Sequence, residues 1–265
     1  MNDIIVHSVL IPKQGYEPEE CEDACAVSDD RTIMAVADGA TQASFSREWA
    51  EALVNSFTCS TAADPQERFV QAALDSWRAA VGDPSRLPWY AQAKLEKGSF
   101  AAFVGVRLDL AKGVMILTAL GDSCAFVVDE VAGTLSSFPY EDVGQMAQYP
   151  VLVSTCLDAN PASQWAESIT RIPAVCSLLL ATDAVSRYIL VSGDRLDAVR
   201  RLYRAVVNGN LEEVIHDLVQ GGLMANDDVC ILTAHIRSEI PEGAENEVPK
   251  PNVIPGSYPD PLNRV

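Results

Sequence analysis

The chain has 265 residues, of which 48% are hydrophobic, and a formal net charge of −18. This is ample material for a large core, while 19 scattered basic residues in so acidic a chain argue against nucleic acid and anionic membrane surfaces as partners. No apolar run reaches the ~18 residues of a membrane span, and the first residues lack the basic and apolar regions of a signal peptide, so we expect a cytoplasmic protein. The seven cysteines are unevenly spaced and the three histidines lie far apart, which argues against a disulfide framework and a zinc site.

Apolar patterns predict strands before helices in the first half of the chain. Residues 3–11 predict one strand, and residues 22–28 and 31–37 predict a hairpin. Aromatic side chains at fourfold spacing then predict two successive helices, at 43–58 and 65–82.

The second half repeats this order and ends on a strand. The predicted elements are strands at 98–108, 113–120, 123–129 and 176–183, a helical block at 184–221 and a last strand at 228–236. Because strands and helices are segregated rather than alternating, the sequence favours an α+β fold.

The last residues differ from the rest in composition. Prolines at 241, 249, 251, 255, 259 and 261 oppose regular structure. We therefore divide the chain into a body, 1–237, and a proline-rich acidic tail, 238–265.

Carboxylates stand where the apolar runs begin or end. They are Glu22 and Asp23, Asp38, Asp122, Asp183, and Asp227 and Asp228. Each one alone is a common turn residue. Gathered at one edge of a core, however, they repel one another unless cations neutralise them, so the set predicts a site for hard metal ions.

The motifs that contain these carboxylates resemble a known family. In chain order they are CEDACAV, AVADGA, GSFAAFVGV, ALGDSCAFVV, LLLATDAVSRY and NDDVCILTA. Over about residues 8–236 they are similar, in order and spacing, to the motifs of the metal-dependent type 2C (PPM) protein serine/threonine phosphatases, as in a divergent bacterial-type member. The resemblance implies a four-layer α/β/β/α sandwich with two central antiparallel sheets. It also implies two Mn²⁺ or Mg²⁺ ions with a weaker third, and a metal-bridging water that attacks phosphoserine or phosphothreonine without a phosphoenzyme.

The resemblance also assigns roles to individual residues. It implies that Asp38 bridges both ions, that the Gly39 carbonyl and Glu22 serve the second ion, that Asp183 and Asp227 complete the first, and that Asp122 lies beside the weaker third. Asp38, Asp183 and Asp227 are accordingly the catalytic candidates, with Asp23 and Asp228 expected just outside the ligands. Oxygen-only donors of this kind suit Mg²⁺ or Mn²⁺.

Three positions depart from the family pattern. Ala40 stands where some members carry a histidine, Ala184 replaces a glycine, and Pro18 occupies the usual place of a phosphate-gripping arginine. Lys13, or with less support Arg187, is the candidate substitute for that arginine, although surface cations are more often only solvated.

Thiol chemistry is the first alternative mechanism. Cys25 and Arg31 satisfy the spacing Cys-x5-Arg, but the residues between them include two aspartates and no glycine, so they offer no cradle for a dianion. The chain also lacks a Gly-x-Ser-x-Gly elbow and a glycine-rich phosphate loop. The sequence therefore favours a metal-dependent enzyme.

The serious alternative is a catalytically weak or inactive regulatory binding module that keeps the fold. Pro18 and Ala40 favour it, whereas the retained Asp38, Asp183 and Asp227 oppose it, because unpaired buried charges cost several kcal/mol. We favour a phosphatase whose partner is a phosphorylated protein, such as a substrate of a cognate Ser/Thr kinase.

Overall fold

The strands of the chain form two antiparallel sheets. The computed structural model describes residues 3–41, 43–61, 66–157 and 164–238. The strands in these ranges are β1 (Asp3–Ile11), β2 (Asp23–Val27), β3 (Ile33–Gly39), β4 (Phe100–Asp109), β5 (Val114–Leu120), β6 (Cys124–Asp129), β7 (Thr134–Phe138), β8 (Val153–Ser154), β9 (Ala166–Arg171), β10 (Val175–Ala181) and β11 (Val229–Arg237). One sheet has the order β1-β11-β10-β6-β7, and the other has β2-β3-β4-β5-β9, with β8 paired to β4.

Helices cover the outer face of each sheet. They are α1 (Ser46–Thr58), α2 (Gln66–Val81), α3 (Trp89–Leu95), α4 (Asp183–Val191), α5 (Arg195–Asn208) and α6 (Leu211–Gln220). The first two pack on the second sheet through aromatic side chains, with the Phe57 and Phe103 ring centroids 5.1 Å apart. The last three pack on the first sheet.

A third apolar cluster fills the space between the two sheets. It joins Val36 and Val104 of the second sheet to Leu178 and Leu232 of the first. Because successive strand residues point to opposite faces, alternate positions of β3 and β10 face either this cluster or the helices. The described residues therefore form four layers, and the predicted α+β sandwich with two central antiparallel sheets is confirmed.

The structure divides the predicted helical block into three helices. Asp194 caps α5 by accepting a hydrogen bond from the Asp197 N–H at 2.9 Å. Gly209 ends the same helix with φ of 74°, a left-handed conformation that glycine adopts without a steric penalty. An aspartate before a helix and a glycine after it are boundary signals that the sequence contains, and they predict the ends of α5.

The predicted strands and helices are present with shifted ends. The first predicted helix begins at Ser46 rather than at residue 43, and β3 continues past residue 37 to include Asp38 and Gly39. The sequence analysis missed α3, β7, β8 and β9. Two of these, β7 and β9, are half-exposed edge strands whose polar side chains give no apolar alternation.

Several other expectations concern the chain as a whole. Apart from Ser238, the predicted tail lies outside the described residues. All seven cysteines lie within the described ranges and are free thiols. None of the helices that the structure describes is long and apolar enough to cross a membrane.

Candidate metal centre

The seven predicted acidic residues meet at one end of the sandwich. The antiparallel register brings the start of β2, the end of β3, the β5–β6 turn, the end of β10 and the start of β11 to that end. We call these residues the carboxylate cluster: Glu22, Asp23, Asp38, Asp122, Asp183, Asp227 and Asp228. The charge of Asp38 interacts with those of Asp23, Asp183, Asp122 and Asp227, and that of Asp23 with Asp228. The sequence-predicted residues are thus brought together.

The β2–β3 hairpin sets the centre of the cluster. Its register places Asp23 directly opposite Asp38. Like charges at opposed positions of neighbouring strands destabilise a hairpin, so this pairing has a cost that the apolar remainder of the strands must offset. A shift of one strand by one residue would separate the pair and move that strand's carboxylate to the opposite face of the sheet.

Glu22 is held in place by the start of α1. The Ser46 hydroxyl donates a hydrogen bond to Glu22 Oε1, and the Gly39 N–H donates to the Glu22 carbonyl at 3.2 Å. A Cβ at Gly39 would lie 2.7 Å from the Ser46 carbonyl oxygen and 2.8 Å from that of Glu22. Glycine at this position therefore allows the three backbone segments to approach one another closely.

Asp122 lies in the tight turn between β5 and β6. Gly121 precedes it with φ of 107°, and a Cβ there would lie 2.5 Å from the Ala102 Cβ. The buried Tyr140 donates from its hydroxyl to the Gly121 carbonyl at 2.9 Å. Asp122 is consequently fixed and only 6% exposed.

Asp183 is the first residue of α4, where the helix dipole favours a negative charge. The preceding Thr182 links this helix to β11, because its Oγ1 accepts from the Cys230 N–H at 3.0 Å and its own N–H donates to the Cys230 carbonyl. The Thr182 side chain also bonds to Asp23. Thr182 thereby links Asp23 of the second sheet to β11 of the first sheet and to Asp183, its neighbour in the chain.

Asp228 uses both carboxylate oxygens within the protein. Oδ1 accepts from the Lys13 N–H at 2.8 Å and Oδ2 from the Glu22 N–H at 3.0 Å. The neighbouring Asp227 is exposed and accepts from the Asp228 N–H at 2.9 Å. Asp228 therefore positions Glu22, while Asp227 keeps an open side.

Burial raises the pKa of the central carboxyl groups. The pKa of Asp23 lies well above its usual range because burial disfavours the charged form, and the bond from Thr182 offsets only part of this effect. Burial also holds the pKa of Asp38 well above its usual range, and the charge of Asp23 adds to it. A nearby cation would favour the charged form of both groups and would so act against this shift.

The outer pair of carboxyl groups shows the same trend. Burial, followed by the charges of Asp122 and Asp227, raises the pKa of Asp183 to about 6. Burial raises the pKa of Asp122 as well, although Arg187 acts in the opposite direction. Ionising all of these groups together requires added positive charge.

The chemistry of the donors fits divalent cations, although the side chains are not assembled around a point. Glu22 Oε2 and Asp23 Oδ2 are buried and, within the described ranges, accept no hydrogen bond. Buried orphan oxygens are costly unless a ligand satisfies them. In the part of the chain that the structure describes, however, no three His, Cys, Asp or Glu side chains are arranged to hold an ion as they stand. Side-chain rearrangement would be needed to gather them.

The two candidate phosphate cations occupy different positions. Arg187 lies within the carboxylate cluster, with Nη2 3.1 Å from Asp122 Oδ2 and Nε 3.8 Å from Asp183 Oδ2. The Lys13 ammonium lies 4.5 Å from the centre of the Tyr16 ring. Pro18 is exposed at the start of a short 3-10 helix, Pro18–Glu20. Arg187 is thus already paired, and Lys13 joins the site through its backbone.

Sequence reasoning missed the residues that support the carboxylates. Ser46, Thr182 and Tyr140 hold Glu22, Asp23 and the Gly121 carbonyl, respectively. Ser46 and Tyr140 have no motif of their own, since their partners lie 24 and 19 residues away. The position of Thr182 between an apolar strand and Asp183 was the single available signal.

Comparison with known proteins supports the same fold. The catalytic domain of the serine/threonine phosphatase PstP with two manganese ions has a TM-score of 0.52 at 12% identity, covering 89% of this chain and 99% of that one. RsbX with magnesium gives 0.51 at 13%, covering 88% and 95%. The photosystem II phosphatase PBCP gives 0.54 at 14%, covering 90% and 100%. At such identities these likenesses show the fold alone.

Sequence comparison identifies the family. No curated protein sequence matches the chain. A profile described as Protein phosphatase 2C matches residues 16–219, which is well over half of the chain and includes five of the seven members of the carboxylate cluster. The match ends before Asp227, Asp228 and β11, which the structure nevertheless brings to the same site. The chain belongs to the protein phosphatase 2C family.

Proposed function

We propose that the chain is a metal-dependent phosphoprotein phosphatase that hydrolyses phosphoserine and phosphothreonine. The observation that carries the proposal is the direct opposition of Asp23, which is buried, and Asp38, which is half-buried. Both carboxyl groups have raised pKa values, and the half-buried Glu22 beside them has a buried oxygen, Oε2, that accepts no hydrogen bond from the described residues. An arrangement that is unfavourable without cations is expected where cations are bound.

The residues proposed to hold two Mn²⁺ or Mg²⁺ ions are Asp38, the Gly39 carbonyl, Glu22, Asp183 and Asp227. Bound ions would supply neutralisation of phosphoryl charge and a water of lowered pKa. Solved relatives of the same fold carry manganese or magnesium, which supports the choice of metals.

In this proposal, some residues of the site position the metal ligands and do not bind metal themselves. Asp23 remains bonded to Thr182 and Asp228 to two backbone N–H groups, so both orient neighbours rather than ligate. Ser46 keeps one Glu22 oxygen occupied and leaves the other directed inward. This support limits the side-chain rearrangement that ion binding requires.

The proposed substrate is a phosphorylated protein, such as the target of a cognate Ser/Thr kinase. With a net charge of −18, the phosphatase would attract a partner whose surface is rich in Lys and Arg. A protein substrate also supplies contact area beyond the phosphate, which matters because Pro18 contributes no cation.

A regulatory binding module with little or no turnover is the second candidate. Two observations favour it: Arg187 is already paired to Asp122 and Asp183, and the described side chains form no ready-made metal site. In that case the fold would recognise a phosphoprotein without hydrolysing it.

Hydrolysis of an aryl phosphate and of a phosphothreonine peptide, with Mn²⁺ and with EDTA, distinguishes the two. We expect activity only with metal, a loss of several orders of magnitude in Asp183→Asn, and little change in Cys25→Ser. The thiol control is informative because hydrogen bonding to Cys230 lowers the pKa of Cys25 to about 7. Equal losses in both variants would indicate cysteine chemistry, and no turnover of the peptide with Mn²⁺ would favour the binding module.

A further inference from the structure

One cation of the protein lies inside the carboxylate cluster. Arg187 is four residues after Asp183 on α4, so its guanidinium can reach back to the first residue of the same helix. It also reaches Asp122, 65 residues earlier in the chain, with Nη2 bonded to Oδ2 at 3.1 Å. The arginine therefore joins two carboxylates from separate elements.

The environment makes this contact stronger than a surface ion pair. The Asp122 side chain is 8% exposed, that of Asp183 26% and that of Arg187 38%. Arginine keeps its charge at any working pH, and its planar group fits carboxylates. Ion pairs of this kind resist screening by salt better than exposed ones do.

The positive charge stands where an ion would otherwise be needed. A metal ion that approached Asp122 would be repelled by the guanidinium, because the two positive charges would lie close together in a partly buried site. The ion would also have to displace Arg187 from its hydrogen bond with Asp122 Oδ2 and its ion pair with Asp183 Oδ2. Asp122 is thus satisfied without a metal.

We propose that the guanidinium of Arg187 takes the place that a divalent cation would occupy at Asp122, so that the chain holds no ion there and its other ions are held by the remaining ligands, which include Asp183. The inference rests on the proposed function for the presence of those other ions. It makes Arg187 a positioning residue that sets how many metal ions the site accepts.

The test is the number of Mn²⁺ ions bound by the full chain, measured by calorimetry and by the electron paramagnetic resonance signal of free Mn²⁺. We expect Arg187→Gln to bind one more ion than the wild type, or to bind Mn²⁺ more than about tenfold more tightly, because the competing charge is gone. Arg187→Lys keeps a cation and should stay close to wild type. Arg187→Gln combined with Asp122→Asn should lose the gained ion.

Arg195→Gln is the matched control. The Arg195 side chain is 36% exposed, close to the 38% of Arg187, and it pairs with Asp142 at 3.7 Å outside the carboxylate cluster. Its loss removes the same charge from the protein without affecting Asp122 and should leave the Mn²⁺ count unchanged.

Asp122→Asn alone gives a second measurement that does not require Arg187→Gln to fold. If Arg187 satisfies Asp122, this variant binds as many Mn²⁺ ions as the wild type; if it binds one fewer, the inference is overturned. An Arg187→Gln protein that is folded by circular dichroism but binds Mn²⁺ as the wild type does also overturns it. A wild type that binds no ion while Arg187→Gln binds one would contradict the proposed function and support the inference.

Discussion

The carboxylate cluster and residues 12–21, which lie between β1 and Glu22, form neighbouring parts of the candidate site with opposite properties. The cluster holds Asp23 and Asp122 at 5% and 6% exposure, whereas the segment exposes Glu17, Pro18 and Glu19 to solvent. Burying a charge is costly and exposing one is not. The candidate site thus has the carboxylates that are costly to bury, whereas the segment carries Pro18 where the family resemblance leads us to expect a phosphate-gripping arginine.

This difference teaches where substrate affinity must originate. The segment is anchored by its backbone, since the Lys13 and Gln14 N–H groups donate to Asp228 and Asn226 at 2.8 Å each. It offers three acidic side chains, at Glu17, Glu19 and Glu20, near the position of the missing arginine. On the proposed function, a small phosphate dianion would gain little there, so we expect a protein substrate to bind through its own surface.

The largest expected effect comes from the centre of the carboxylate cluster. Asp38→Asn should lower the rate of phosphopeptide hydrolysis by about a thousandfold or more, because charge stabilisation at the reacting phosphate is lost. It should also stabilise the metal-free protein by about 1–3 kcal/mol, since the cost of holding a second carboxyl group opposite the buried Asp23 is removed.

Denaturant unfolding in EDTA and in Mn²⁺ measures the second effect. The variant should be more stable than the wild type in EDTA and should gain little from Mn²⁺. Lower stability of Asp38→Asn in EDTA, together with an unchanged stabilisation by Mn²⁺, would contradict this prediction. It would mean that the carboxylate cluster does not depend on metal ions to offset its charge.

The pH dependence of stability sharpens the same contrast. Burial raises the pKa of Asp183 from the ordinary 3.8 to about 6, so between these values the folded protein binds more protons than the unfolded chain. The free energy of unfolding of the metal-free protein should therefore fall as pH rises from about 4 to about 6, by roughly 3 kcal/mol for this group. Melting temperatures in EDTA across this range provide the measurement.

Two controls accompany the pH series. Asp183→Asn should flatten the decline, and saturating Mn²⁺ should oppose it because ion binding requires ionised carboxylates. A metal-free protein that becomes more stable over this interval would mean that the cluster's acids are paired rather than repelled.

The smallest effect is expected in the exposed segment. Pro18→Arg restores a cation and should lower KM for an aryl phosphate several-fold with kcat nearly unchanged, which is the signature of uniform binding. Steady-state kinetics also tests Lys13, because Lys13→Ala should raise KM if its ammonium leaves Tyr16 to hold the phosphate. If neither change alters KM, the phosphate does not bind beside this segment.

Much of the fold can be predicted from the sequence because the apolar residues of its core strands and helices recur at the spacing of the buried face. The β2–β3 hairpin, α1, α2 and β4–β6 bury almost every apolar position that the pattern marks, such as Met34, Trp49 and Phe103. The edge strands β7 and β9 and the short α3 could not be found in this way. The side chains of β7 and β9 are only partly buried, so the position of β7 is set by its pairing with β6 and that of β9 by its pairing with β5.

The site shows the same limit at the level of single residues. Asp38 and Asp122 are detectable because a carboxylate that interrupts an apolar run is unusual. The pairing of Arg187 with Asp122 is not detectable, since a contact across 65 residues depends on how α4 lies against the β5–β6 turn. The ties from Asp228 to Lys13 and Glu22 span 215 and 206 residues and have no local signal either.

Those long ties have a consequence for the order of assembly. β11 lies between β1 and β10, so the first strand of the chain has no partner in its sheet until the last strand arrives. Asp228, which accepts hydrogen bonds from the Lys13 and Glu22 N–H groups, directly precedes β11 and is therefore synthesised just before it. Contacts of such sequence separation form late and slowly because closing a long loop costs entropy. A growing chain on the ribosome therefore carries the β2–β3 hairpin and its acids long before the site can close, and it becomes a complete phosphatase-like molecule only when residues near 237 have emerged.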